Sequence, residues 1–228
     1  KNRPATASDH CLFDSVRGVT KLLTLPNITA ETTDADTLTA FDADGFTVGA
    51  DTKVNTDTEG LVAWQWVTDG TSGSSNEDGD ITSTVSKTTT AGFSVFTYTG
   101  NGTSGQTVGH GLGVKPDFMI FKKRTGSVTT GEWGVYHSAT GAGKRLQLQN
   151  SDAASASGVY WNSTEPTSSV VTLGNHDTTN LSGATYVAYV FCGVEGYSKF
   201  GSYESNNNAD GPFIWCGIKP AYLLLKNS

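Results

Sequence analysis

Two stretches of the chain share one order of apolar and polar positions. Gly113-Val114-Lys115-Pro116 leads into the apolar run Phe118-Met119-Ile120-Phe121 and closes on Lys122-Lys123-Arg124. Gly217-Ile218-Lys219-Pro220 leads in the same way into Tyr222-Leu223-Leu224-Leu225 and Lys226. Proline fixes φ and disfavours helix for the residue before it, so each copy begins at a stiff turn. Four consecutive apolar residues bounded by turn signals predict a strand covered on both faces, which the basic residues end at the surface. Lys1-Asn2-Arg3 reads as the tail of a third copy.

The rest of the chain alternates in the manner of short strands. His10 to Val16 and Lys21 to Leu25 predict a pair separated by a turn at Arg17-Gly18 and ended by Pro26-Asn27. Asp34 to Phe41 is ambiguous, whereas Gly45 to Gly49 and Leu61 to Trp66 predict strands, with Trp64 and Trp66 on one face. Thr68 to Gly79 is mostly Gly, Ser, Asp and Asn, the composition of a flexible linker. Beyond it, Asp80 to Ser86 and Phe93 to Tyr98 predict a hairpin, and Asn101-Gly102 a turn.

From Glu132 onward the early pattern returns. Leu12, Leu23 and Leu25 correspond to Val135, Leu146 and Leu148 at an offset of 123 residues, and Val62 to Trp66 correspond to Val187 to Phe191 at an offset of 125. Phe200 to Tyr203 echoes Val95 to Tyr98. A period above 100 residues indicates tandem domains, because solenoid repeats are shorter. The expected architecture is therefore all-β: two tandem antiparallel β-sandwich, jelly-roll-like units related by an internal repeat. Residues 1–70 together with 197–228 form the first unit, 71–79 a linker and 80–196 the second. In this reading the C-terminal strands complete the first unit, within the same chain or in a neighbouring one. Pairing within one chain is favoured because it avoids the entropy of association. Trp64, Trp66, Phe118, Ile120, Tyr189, Phe191, Leu223 and Leu225 are expected in the core.

Asp78 to Ser86, Ala91 to Val95, Val108-Gly109-His110-Gly111-Leu112-Gly113, Tyr136-His137-Ser138 and Gly196 to Tyr203 carry a resemblance. Together they resemble a β-rich domain of unknown function that recurs in tail-fibre and other structural proteins of marine bacteriophages, often near concanavalin-like sandwich modules. The resemblance covers nearly the whole chain. It implies a virion setting and an extracellular location, with other virion subunits as partners, homo-oligomers and a role in host attachment, and it brings no catalytic residues. The alternative is a glycan-binding, lectin-like module of a secreted or cell-surface protein, with a host-surface glycan as partner.

Composition agrees with many turns and short strands. Hydrophobic residues make up 36% and charged residues 16% of the 228 positions, a balance usual for antiparallel β proteins. The formal net charge of −7 argues against a nucleic-acid partner, which requires a basic face to displace counterions. No apolar run approaches the length of a membrane span, so membrane insertion is not expected. Cys11, Cys192 and Cys216 form an odd set in apolar settings and read as small core residues.

Chemical signatures are few. Asp42-Ala43-Asp44-Gly45 and the trio Asn76, Asp78 and Asp80 have the alternating oxygens of a calcium loop but no closing bidentate Glu, and they read better as Asx-type turns. The four histidines, His10, His110, His137 and His176, show no metal-ligand spacing. The chain has no nucleophile elbow, P-loop or nucleotide fingerprint. Glu132, Glu165 and Glu195 are isolated. No catalytic, cofactor-binding or metal site is assigned, and no enzyme is expected. Tyr160-Trp161-Asn162 has no counterpart in the first unit and is the preferred candidate for a contact or glycan-binding surface.

Overall fold

The computed structural model describes residues 9–125 and 131–227; Lys1-Asn2-Arg3 lies outside the described residues. The chain is almost entirely β. Its centre is an antiparallel sheet of seven strands: β6 (Ser74–Asn76), β7 (Ser83–Thr88), β8 (Phe93–Thr99), β10 (Phe118–Lys123), β11 (Trp133–His137), β12 (Leu146–Gln147) and β14 (Thr185–Phe191), in the order β12-β11-β10-β14-β8-β7-β6. The predicted hairpin is β7–β8. Its turn ends on Gly92 at φ 64°, where a Cβ would lie 2.7 Å from the carbonyl oxygen of Cys192, so only glycine fits. The Lys-Pro strand is β10, central between β11 and β14.

Both faces of this sheet are covered, as the uninterrupted apolar run of β10 requires. Met119 and Phe121 point to one face, where Phe96, Tyr186 and Val190 meet Tyr160, Trp161 and Leu173 from the returning loops. That face is closed by the strand pair β9 (Thr107–Gly109) and β13 (Val170–Thr172) and by the single helical turn α1 (Asp177–Asn180). Ile120 and Phe191 point to the opposite, outer face, where they join Phe93, Val95, Trp133, Val187 and Tyr189. The outer face is capped by the first hairpin, β1 (His10–Leu12) and β2 (Lys21–Leu25), through Leu12, Leu23 and Leu25. β3 (Thr32–Thr33) extends that hairpin, and β4 (Leu38–Phe41) pairs with β5 (Phe46–Val48).

Two pairs of positions that correspond in sequence are also paired alike in the ladders. Leu12 lies opposite Leu23 in β1–β2, and their counterparts Val135 and Leu146 lie opposite each other in β11–β12.

Three expectations are corrected. Within the expected linker, Ser74–Asn76 forms the edge strand β6, because Ser74, Ser75 and Asn76 pair with Val85, Thr84 and Ser83. Of residues 61–66, expected as a strand, only Leu61 is in an isolated bridge and 62–66 form no strand, and residues 199–227 contain no strand. The core prediction holds for Tyr189 and in part for Phe118, Ile120 and Phe191, but Trp64 is 56% exposed, Trp66 48%, Leu223 68% and Leu225 58%. Alternation marks a segment as able to form a strand; burial also requires a neighbour in ladder register, and no ladder among the described residues includes Trp64, Trp66, Leu223 or Leu225.

Candidate interaction surface

The docking of β1–β2 on the outer face rests on a buried polar latch as well as on leucines. Arg17 lies in the turn after β1 with its guanidinium fully buried. Its Nε donates to Asp14 Oδ2 at 2.5 Å, Nη1 to Glu31 Oε2 at 3.0 Å and to the carbonyl of Lys21 at 2.9 Å, and Nη2 to the carbonyl of Leu12 at 2.9 Å and to the Tyr189 hydroxyl at 3.3 Å. Tyr189, from the central sheet, donates its own hydroxyl to Asp14 at 2.6 Å. Arg124, at the end of β10, holds Glu31 from the other side with Nε at 2.9 Å and Nη2 at 3.0 Å. Burial pushes the Glu31 carboxyl up, but the bonds from Arg124 and Arg17 outweigh it and hold the group below the usual carboxylate range.

A second anchor lies alongside. Lys122 is buried, donates to the carbonyls of Ile28 at 3.1 Å and Gly131 at 2.5 Å, and stands 5.4 Å above the Trp133 ring. Burial, with a smaller contribution from the charge of Lys123, lowers its pKa to about 8. The Trp133 Nε1–H donates to the carbonyl of Asn27 at 2.8 Å. The loop after β2 is therefore held by side chains of the central sheet.

Beyond β1 the outer face opens into a cleft of roughly 2780 Å³, walled by Phe118, Ile120 and Phe191 of the sheet on one side and by Trp64, Trp66 and Tyr222 on the other. Trp66 touches Phe93 and Phe191 at ring-centroid distances of 6.4 and 6.0 Å, Trp64 lies 6.4 Å from His10 and 6.3 Å from Tyr222, and Phe200 stacks on Phe118 at 5.7 Å. Trp215 and Phe213 are 75% and 88% exposed. An apolar and aromatic band of this extent exceeds the scattered apolar residues of an ordinary surface and makes this face the candidate for contact.

The expected contact residues are only partly at the surface. Tyr160 and Trp161 are fully buried, which removes their rings from any contact surface; Asn162 is exposed. Trp161 is wedged edge-on against Phe121 at 5.0 Å and Tyr136 at 6.0 Å. Tyr160 donates its hydroxyl to Glu132 at 2.5 Å and accepts from Gln147 at 3.1 Å. Both rings pack inward because the following residues, Asn162 and Ser163, turn the chain back with φ of 50° each. Two consecutive non-glycine residues in the left-handed region are costly and signal a constrained loop. Asn162 and Ser163 line a small polar recess of about 270 Å³ with Ser104 and Asn175.

The remaining candidates serve local structure. Asp42 accepts from the Thr47 hydroxyl at 2.8 Å, and its amide donates to the Gly45 carbonyl at 2.9 Å, closing the turn before β5. Asn76 bonds Asp78, while Asp80 accepts from the amide and hydroxyl of Thr107. Among the described residues no group of three or more His, Cys, Asp and Glu side chains converges as a metal site. His110 is buried and held between the Leu112 amide and the Thr167 carbonyl. Glu165 is tied to Tyr136, Lys115 and the Ala142 amide. The three cysteines are free thiols. No described helix is long and apolar enough to cross a membrane.

Sequence reading missed the latch, because Arg17 and Tyr189 are 172 positions apart. The available signal was Asp14-Ser15-Val16-Arg17, opposite charges three residues apart across a turn in a chain poor in charge.

Fold and surface together define an all-β protein with an exposed aromatic cleft. The chain belongs to the family described as Domain of unknown function (DUF7483), which matches residues 1–228. No curated protein and no solved structure matches it.

Proposed function

We propose that the chain is a non-catalytic structural module of a phage virion, part of a tail fibre or similar appendage involved in host attachment. It would be built from two tandem antiparallel β-sandwich, jelly-roll-like units and surrounded by other virion subunits, copies of itself included. The single observation that carries this reading is the aromatic cleft: Trp64, Trp66 and Tyr222 present apolar surface that suits a protein contact better than solvent. The register shared by β1–β2 and β11–β12 supports duplicated units, and the motifs set out above supply the virion setting. Immunogold labelling of purified particles, with antibody raised against this chain, tests the reading. Gold on an appendage is expected; chains recovered only from the host fraction, with unlabelled particles, would overturn it.

A second reading, a glycan-binding module, is favoured by the constrained turn at Asn162 and Ser163 and the polar recess beside it. A glycan array with the intact chain and with Asn162→Ala tests it. Binding lost in the variant supports the recess, and an array without signal removes this reading.

A further inference from the structure

Three of the four histidines are built into the same local arrangement. In each, the ring Nδ1 accepts the main-chain N–H two residues further on: His110 from Leu112 at 3.2 Å, His137 from Ala139 at 3.1 Å and His176 from Thr178 at 3.1 Å. An amide nitrogen can only donate, so each bond assigns a bare Nδ1 and a neutral ring with its proton on Nε2. His110 uses that second nitrogen as well, donating from Nε2 to the Thr167 carbonyl at 3.2 Å. Its ring is completely buried, and those of His137 and His176 are half-buried.

All three turns belong to what closes the inner face of the central sheet. The His110 turn follows β9, and the His110 amide donates to the Ser169 carbonyl at 3.1 Å, which ties it to the segment entering β13. His176 is the N-cap of α1, whose Thr179 hydroxyl donates to the carbonyl of Tyr160 at 3.1 Å. His137 ends β11 and starts the turn to Ala142, which packs in the inner cluster and donates its amide to Glu165 at 2.7 Å. We propose that these histidines form a pH-operated clasp. Protonation at Nδ1 sets an N–H against each turn amide, the turns open, and β9, β13 and α1 loosen from the sheet while β8, β10 and β14 stay paired.

The surroundings keep the rings neutral. Burial lowers all three pKa values below the ordinary 6.5, and the neighbouring charges do not outweigh it. Around His110 the Thr167 bond and Asp78 favour the cation, and Lys87 opposes it. His137 faces Asp117, whose carboxylate is engaged by the Gly193 amide at 2.8 Å and the Ser138 hydroxyl at 3.2 Å. His176 faces Glu132 and Asp177, which favour the cation, and Arg145 and Lys123, which oppose it. Glu132 in turn accepts from the hydroxyls of Tyr160 and Thr178 at 2.5 and 3.0 Å. A base whose pKa is depressed on folding leaves the unfolded chain holding more protons. The stability these turns supply is therefore complete above pH 6.5 and is lost as pH falls from there through the folded pKa values. Each proton taken up on unfolding lowers the folding constant about tenfold per pH unit, so the three together set a ceiling of about a thousandfold per unit.

The test replaces each ring by asparagine, whose Oδ1 stands on Cγ where Nδ1 stands and accepts the same amide without titrating. Urea melts of the full chain at about pH 7.5 and about pH 5 compare the parent with the chain carrying His110→Asn, His137→Asn and His176→Asn. The packing lost with the rings is the same at both pH values and cancels. The parent's folding constant is expected to fall at least about tenfold further than the variant's on acidification, and a smaller difference would overturn the clasp. Two measurements on the unsubstituted protein do not depend on the variant's folding. In ring-nitrogen NMR the three histidines are expected to show a bare Nδ1 at neutral pH and to protonate below pH 6.5, with shifts of the Leu112, Ala139 and Thr178 amides. Rings that protonate at or above that value, or amides that do not move, would overturn it. In hydrogen exchange, referred to free-peptide rates at each pH, amides of 110–112, 139, 170–173 and 178–180 are expected to lose protection at about pH 5 while β8, β10 and β14 keep theirs. An unchanged pattern, or a loss spread evenly over the sheet, would overturn the clasp as a local device.

Discussion

Strand β14 and residues 62–66 share a pattern of apolar positions, yet one is buried between two strands and the other is about half in water. Val187, Ala188, Tyr189 and Val190 are buried between β10 and β8, whereas Trp64 and Trp66, at the positions of Tyr189 and Phe191, are about half exposed. The same contrast separates β10 from residues 222–226. Side-chain pattern is therefore not what distinguishes the two regions. The difference lies in neighbours: β14 is hydrogen-bonded on both sides, to β10 and β8, while no ladder among the described residues includes Trp64 or Trp66.

The sharpest way to break this comparison is to truncate one tryptophan in each region. Trp161→Ala removes a fully buried indole between Phe121 and Tyr136 and is expected to cost about 3–5 kcal/mol in urea melts. Trp215→Ala, at a ring 75% exposed, should stay within about 0.5 kcal/mol of the parent. Equal losses in the two variants would mean that the regions are packed alike.

Arg17→Ala should rank next, at about 3 kcal/mol, because it leaves the buried Asp14 and Glu31 carboxylates without their shared cation. Hydrogen exchange should localise the loss to β1 and β2 before β10 and β14. A uniform loss across all four strands would instead make the hairpin part of one cooperative unit with the central sheet.

The smallest effect concerns pH. The carboxyl of Glu31 sits below its ordinary value of 4.5 in the folded chain, so the folded state binds fewer protons there than the unfolded one. Its contribution is fully present above that value and is lost as pH falls through the folded pKa. Melts of the parent and of Glu31→Gln should therefore converge on acidification below about 4.5. A constant gap from neutrality down to pH 3 would show that the carboxylate contributes nothing by its charge.

Much of the fold was legible because it depends on local signals. The Lys-Pro turns, the β7–β8 hairpin and the β1–β2 pair follow from turn residues and alternation, and the 123-residue offset anticipates matching registers. What was not legible depends on distant partners. Trp64 and Leu223 look as buried as Tyr189 and Met119, since a sequence records which face of a strand is apolar and not whether a second strand lies beside it. Tyr160-Trp161-Asn162 failed for the opposite reason. Having no counterpart in the first copy suggested a surface addition, but the insertion brings its rings into the core and leaves only its polar end outside. The latch could not be read at all, because Arg17, Glu31, Arg124 and Tyr189 come from four separate segments.

The latch has a consequence for a chain carrying two related hairpins. β1–β2 and β11–β12 share register and leucine positions, so on apolar contacts alone either could settle on the outer face of the sheet. The counterparts of Asp14 and Arg17 are His137 and Thr140, and that of Tyr189 is Trp64; none of them can rebuild the buried ion pair. A swapped arrangement would leave the buried Tyr189 hydroxyl and the Arg124 guanidinium on the sheet without Asp14, Arg17 and Glu31. The polar cluster thus acts as an address: the charges on β1–β2 find their partners only where Tyr189 and Arg124 stand, which fixes where this hairpin docks.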